Sequence, residues 1–255
     1  VGAEEVVLLL IAAAAAGWVD AVVGGGGLVQ LPALLLAAPD MPVAAALATN
    51  KVASVAGTSS AAVAYARRTR LDLPVALPAA ALALLCAGLG AASAAAVSSA
   101  VLRPVVMAAL LIVAVLVVAR PALGTAARPG LRTRGRVLAA IAVTGGAVAF
   151  YDGILGPGTG LFLVIAFTTL LGMDFVHGSA MAKVLNTSTN LGALAVFAVQ
   201  GHVLWGIGLA MAACSVAGAQ LGARMALRRG AGFVRAVLLC VVAALVVKLG
   251  VDQFA

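Results

Sequence analysis

Apolar stretches long enough to form spanning helices, set apart by short polar or arginine-rich turns, fill almost the whole chain. Several run past the roughly 18 residues that cross a hydrocarbon core about 30 Å thick, among them 75–97 and 203–223. The pattern predicts a first apolar unit over 6–38, broken near Gly24 to Gly27, and then a helix over 43–66. Pro74 and Pro78 open the next helix, which runs to about residue 97, because a missing N–H costs little in a first turn. A run over 105–118 follows, then a second broken unit over 137–171 and helices over 175–199, 203–223 and 231–251. The piece after the first break, 28–38, makes only about 16 Å of helix and suits a segment that stops near mid-membrane. The fold class is therefore all-α, a polytopic membrane protein.

The two broken units are related. In YDGILGPGTG, 151–160, four glycines and Pro157 interrupt the apolar run, and glycine and proline together disrupt a helix interior. Asp20, Gly24 and Gly26 recur as Asp152, Gly156 and Gly158, 132 positions later. Lys51, Ser54 and Thr58 become Lys183, Asn186 and Asn190 at the same offset. This is an internal duplication, with residues 1–119 as one membrane repeat, 120–136 as a basic linker and 137–255 as the second repeat. Broken hydrophobic segments at matching places in two halves point to a transporter's binding site.

Charge then orients the halves. Of the 255 residues, 64% are hydrophobic and 9% charged, with a net charge of +8. Twelve of the 16 basic residues fall in three clusters, at 67–70, 120–136 and 224–235, as the positive-inside rule expects of cytoplasmic loops. No aromatic-interleaved basic face accompanies them, which argues against nucleic acid as a partner. Equivalent loops differ in charge: 67–70 is basic and 199–202 is not, whereas 98–103 is weakly charged and 228–235 is strongly basic. The repeats are expected to be inverted, each with a hairpin of two short helices and three spanning helices, both termini outside and the arginine clusters inside. Glu4 and Glu5 stand where a signal peptide would carry basic residues, so no cleaved leader is expected.

Lys51 and Lys183 are the most costly residues, since a lysine at mid-bilayer costs at least about 2.5 kcal/mol on insertion scales. One reading makes them anion ligands. The other pairs Lys51 with Asp20 and Lys183 with Asp152 as structural salt bridges. The helix starts at the breaks offer unpaired N–H groups and a positive dipole end, which suits an anion, although glycines there also permit close helix packing. Candidate substrate-binding residues are Gly24, Gly25, Gly26, Gly27, Gln30, Asn50, Lys51, Gly156, Gly158, Thr159, Gly160, Lys183, Asn186 and Asn190. Asp20 and Asp152 are candidates for ion coupling, because burial can raise a carboxyl pKa into a working range. GPGTG lacks the GK[ST] ending of a phosphate loop. His177 and His202 are placed in loops on one side of the membrane, and Trp18, Trp205 and Tyr65 read as interfacial or packing aromatics. Cys86, Cys214 and Cys240 stand singly in apolar runs, with no metal or disulfide spacing, and no cofactor is called for.

The motifs GGGGLVQLPALLL, ALATNK, FYDGILGPGTG, AKVLNTSTN and GHVLWG, in that order, resemble the TauE/SafE family of anion exporters and in particular its YfcA-like branch. That resemblance implies a bacterial inner-membrane, multi-pass secondary transporter exporting sulfite, sulfoacetate or another sulfur-containing or organic anion. The expected partners are a small anion and membrane lipid, with a homodimer left open. An anion channel with a Gly- and Lys-lined pore is the alternative, and a membrane scaffold or enzyme a third class.

Overall fold

The computed structural model describes residues 3–94 and 124–254. The described part is helical, with no strand. Helix α1 spans Ala3–Val23 and α2 spans Gly27–Ala37, with the break between them at the predicted glycines. Helix α3 is Val43–Ala66 and α4 is Leu73–Ser93. Past the linker, α5 covers Arg134–Ile154, with Ala142–Val148 in π-helical form, and α6 covers Thr159–Leu171. Helix α7 is Phe175–Val199, and α8, Trp205–Phe254, is two helices end to end parted at Gly230, whose φ is 74° and ψ −169°. The predicted run 105–118, the turn carrying Arg103, Arg120 and the 119/120 boundary lie outside the described residues.

Four of these segments are long and apolar enough to cross a membrane: Ala3–Val23, Leu73–Ser93, Arg134–Ile154 and Trp205–Val241. The arms of each broken unit are unequal, which corrects the expected pair of short helices. The first arm has 21 residues in both units, and the second has 11 in α2 and 13 in α6. The first arm is long because its apolar run extends back from the break to a charged opening turn, at Glu4 and Glu5 in one unit and at Arg134 and Arg136 in the other, with Asp20 and Asp152 the charges nearest the breaks.

The offset of 132 recurs in the helix starts. α6, α7 and α8 begin at Thr159, Phe175 and Trp205, each 132 positions after the starts of α2, α3 and α4 at Gly27, Val43 and Leu73. Packing follows the same offset but crosses between halves. Gly90 of α4 lies against the backbone of Phe150 and Gly153 in α5; its counterpart Gly222 of α8 lies against Trp18 and Ala21 in α1. Gly218 likewise meets Ala14 and Trp18, and Gly153 meets Ala87. Small residues let the backbones touch, as in lipid, where close van der Waals contact replaces the hydrophobic drive between helices.

Helix directions follow from the same contacts. Leu204, at the start of α8, donates its N–H to Thr49 Oγ1 near the start of α3, and farther along Gln220 Nε2 donates to Ser60 O at 3.1 Å. α3 and the first part of α8 therefore run parallel. Arg132 of the linker grips Asp72, at the turn between α3 and α4, with Nε and Nη2 at 2.8 and 3.0 Å, and the carboxylate pushes the guanidinium pKa up. Arg136 donates to the carbonyls of Leu170 and Thr169, closing the end of α6. Two apolar cores result, one around Phe167, Phe175 and Leu161, the other around Leu34, Leu9 and Phe197.

The glycine seams predict a sharp size limit. Gly90→Leu or Gly222→Leu should destabilise the purified protein by at least about 1–3 kcal/mol, because the added side chain meets backbone that cannot yield. Gly206→Ala, where a Cβ meets nothing within 4 Å, should be neutral or mildly stabilising. Thermal unfolding in detergent measures both.

Candidate functional site

The two breaks meet. Gly24 and Gly160 touch backbone to backbone, and a Cβ on Gly27 would lie 3.4 Å from Pro157 Cα. Gly24 and Gly156, equivalent by the repeat, have φ of 86° and 91°, a conformation that glycine adopts without a Cβ penalty. Gly156 is also fixed by space, since a Cβ there would sit 2.9 Å from Lys51 Nζ and 3.1 Å from Asp152 Oδ1.

Each lysine pairs with the aspartate of the opposite repeat. Lys51 Nζ lies 2.9 Å from Asp152 Oδ2 and 2.8 Å from Asp152 O. Lys183 Nζ lies 3.1 Å from Asp20 Oδ2 and also donates to Asp20 O. The expected pairs, Lys51 with Asp20 and Lys183 with Asp152, are thus corrected. The reason is that the two breaks lie against each other, Gly24 on Gly160 and Gly27 on Pro157, so each aspartate stands within reach of the lysine from the other half. Lys51 and Asp152 are both 2% exposed and Lys183 is fully buried, so these pairs offset desolvation costs of several kcal/mol per ion.

Beside the Lys51 pair is a cavity of about 20 Å³, room for about one water; Lys183, expected to bind substrate, does not line it, because it is buried behind Asp20. The ion pair of Lys51 and Asp152, together with Asp20, forms its charged wall; Gly24, Gly27, Gly156 and Gly160 form the backbone wall; Asn50, Ser54, Asn186 and Asn190 complete it. The N–H groups of Gly27 and Gly160, at the starts of α2 and α6, have no acceptor among the described residues. Asn50 Oδ1 is buried without a partner among the described residues, and Asn190 Nδ2 turns back to Asn186 O at 2.7 Å. Each lysine spends two of its three N–H donors on its aspartate, leaving one for another acceptor.

Other expected residues stand outside this cavity. Thr159 Oγ1 is 2.7 Å from Asp152 Oδ1 and holds that carboxylate. Gly158 is the left-handed residue before α6, and Gly25 packs toward Val241 and Val19. Gln30 and Gly26 line a second, smaller cavity with Ser54, Thr58 and Ser215. Ser54 also lines the main cavity, as the polar stripe 51, 54, 58 could have announced; Ser215 has no such signal, since it stands alone in an apolar run. His177 and His202 are at opposite ends of α7, not on one side: His177 is in its first turn, with Nδ1 2.7 Å from Asp174 Oδ2, and His202 is just past its end. Tyr65 is fully buried, its hydroxyl donating to Ala21 O at 3.0 Å, and Trp18 packs on Phe233 and Met225. A wider cavity of about 540 Å³ is walled by Arg67, Arg68, Arg224 and Arg228, bringing two of the three arginine clusters to one end.

Breaking a buried pair exposes its cost. Lys51→Met and Asp152→Asn should each destabilise by about 3–5 kcal/mol, because each leaves a charge without its partner. The double variant Lys51→Met/Asp152→Asn should lose much less than the sum of the two, measured by thermal or denaturant unfolding as a double-mutant cycle.

Residues 9–249 match the family described as sulfite exporter TauE/SafE. The probable membrane transporter protein ORF9 of a Sinorhizobium species is 36% identical over 225 residues, covering 88% of this chain and 84% of that protein. The probable membrane transporter protein YfcA of Escherichia coli K12 is 35% identical over 226 residues, 89% of this chain and 82% of that protein. A probable membrane transporter protein of Haemophilus influenzae is 31% identical over 226 residues, 89% of this chain and 87% of that protein. No solved structure matches. With the multi-helix architecture, paired glycine breaks and near full-length matches, the chain belongs to the TauE/SafE family of bacterial multi-pass membrane transporters.

Proposed function

We propose that the protein is a secondary transporter that exports a small oxyanion across the bacterial inner membrane, with sulfite, sulfoacetate or a related sulfur-containing or organic anion as substrate. The observation that carries this reading is the meeting of two helix starts, with unpaired amides at Gly27 and Gly160, beside Lys51 in a buried cavity. Helix N-termini and lysines focus positive potential, and in a low-dielectric site that potential is strong. Asn50 and Asn186 supply further polar contacts. The family description names sulfite, which makes sulfite the first anion to test.

A cavity of about 20 Å³ is too small for an oxyanion, so binding requires the walls to part. That supports a carrier that opens to one side at a time over an open channel. Inverted repeats, 1–119 and 137–255 about a cytoplasmic linker, would supply two pseudo-equivalent states. The parallel course of α3 and the first part of α8 supports inversion, because α8's counterpart α4 follows α3 after a short turn and runs back. Arg132 on Asp72, and the grouping of Arg67 and Arg68 with Arg224 and Arg228, support one cytoplasmic end.

Two measurements test this. Binding of sulfite, sulfoacetate, taurine, sulfate, thiosulfate and carboxylates to the purified protein should select a small anion, and Lys51→Met, in protein that still folds, should weaken it at least about tenfold. Normal affinity in Lys51→Met, Lys183→Met and the double variant would assign the lysines to structure alone. For topology, single cysteines at 70, 130 and 229 in a variant lacking the three native cysteines should all label from the cytoplasm. Periplasmic labelling at any one would refute the inverted arrangement.

A further inference from the structure

The two crossed pairs are not equivalent. Asp152 has both carboxylate oxygens engaged, Oδ2 by Lys51 at 2.9 Å and Oδ1 by Thr159 Oγ1 at 2.7 Å. The position matching Thr159 in the first repeat is Gly27, which has no side chain. Asp20 therefore gives Oδ2 to Lys183 while its Oδ1 has no hydrogen-bond partner among the described residues.

Asp20 also lines the second cavity, of about 10 Å³, with Gln30, Ser54, Thr58 and Ser215. Gln30 is 2% exposed and Ser215 3% exposed, and among the described residues neither Gln30 Nε2 nor the Ser215 hydroxyl has a partner. Thr58 Oγ1 donates its proton to Ser54 O at 2.7 Å, so only its lone pairs remain to face a ligand. Nε2 is sealed, whereas Oε1, which makes no hydrogen bond among the described residues, is the amide atom left to face the cavity. The wall is then one carboxylate, one carboxamide oxygen and three hydroxyls. The equivalent residues of the other repeat are Phe162, Asn186, Asn190 and Ala83, which form no such cage.

We propose that this cavity is a sodium-ion site and that its ion supplies the positive charge an anion needs beside it, an inference that rests on the anion reading of the central cavity. The volume admits a particle the size of one water, which suits a dehydrated sodium ion. One carboxylate among neutral oxygens matches a monovalent cation; calcium takes 6–8 oxygens and more charge, and the wall carries no histidine or thiol for a softer metal. Charge balance gives the coupling. Lys51 and Lys183 are already neutralised by Asp152 and Asp20, so a bound anion leaves the buried site negative. A monovalent cation on the free oxygen of Asp20 restores neutrality and loosens the hold of that carboxylate on Lys183.

The experiment follows thermal unfolding of the purified full chain in sodium gluconate and in N-methylglucamine gluconate, at equal ionic strength and fixed pH. Sodium should raise the midpoint saturably, and potassium less. Ser215→Ala and Ser54→Ala, which remove one hydroxyl each and keep the lysine pairs, should need about tenfold more sodium or more for the same effect. Asp20→Asn should abolish the effect, and Thr159→Ala, on the other repeat, should keep it. Equal midpoints in the two salts, a response to pH alone, or an undiminished sodium effect in both serine variants would overturn the site. Adding sulfite separates the two readings: a sulfite shift independent of sodium removes this inference and keeps the anion site. A sodium shift with no sulfite response in either salt removes the anion reading and keeps the cation site.

Discussion

Two lysines have to be buried in a membrane protein, and the arrangement of helices around the centre follows from how that is solved. A lone ammonium at that depth is costly, so each lysine is delivered to an aspartate one turn before a helix break. The partners are 101 and 163 positions apart, and both pairs join one repeat to the other. Neither repeat can satisfy its own lysine in this fold. The duplicated halves are thus held together by charge at the centre and by glycine seams around it, and separating them would strand four ions in an apolar interior.

The glycine breaks are compatible with those ions because they place backbone where side chains would otherwise fill space. Gly156 leaves room for the Lys51 ammonium, and the contact between Gly24 and Gly160 brings the two breaks together. The same openings leave amides at Gly27 and Gly160 without acceptors among the described residues. A centre that is electrically neutral overall is therefore rich in donors.

Much of this was legible in the chain. The bounds of α3 and α7, the break at 24–27 and the offset of 132 all follow from apolar runs punctuated by glycine, proline and arginine, which act locally. The choice of partner for each lysine was not legible, because spacing along the chain favours the nearer aspartate while the contact between the two breaks brings the farther one within reach. The roles of Thr159 and Gly27 were likewise hidden: both read as cavity-lining residues, and only the structure shows that one hydroxyl fixes Asp152 and that its absence leaves Asp20 with a free oxygen. Ser215 carries no signal in its apolar neighbourhood. The helix over 203–251 was correctly expected in two pieces, since Gly230 alone breaks its course.

The glycine seams also decide what can move as a unit. α1 packs along its small residues against α8, and α4 against α5, with backbone against backbone. Each of these close pairs contains one helix from each repeat. The rigid bodies of any conformational cycle would then be mixed pairs, one helix from before the linker and one from after it, so the parts that move together are not the parts that are continuous in sequence.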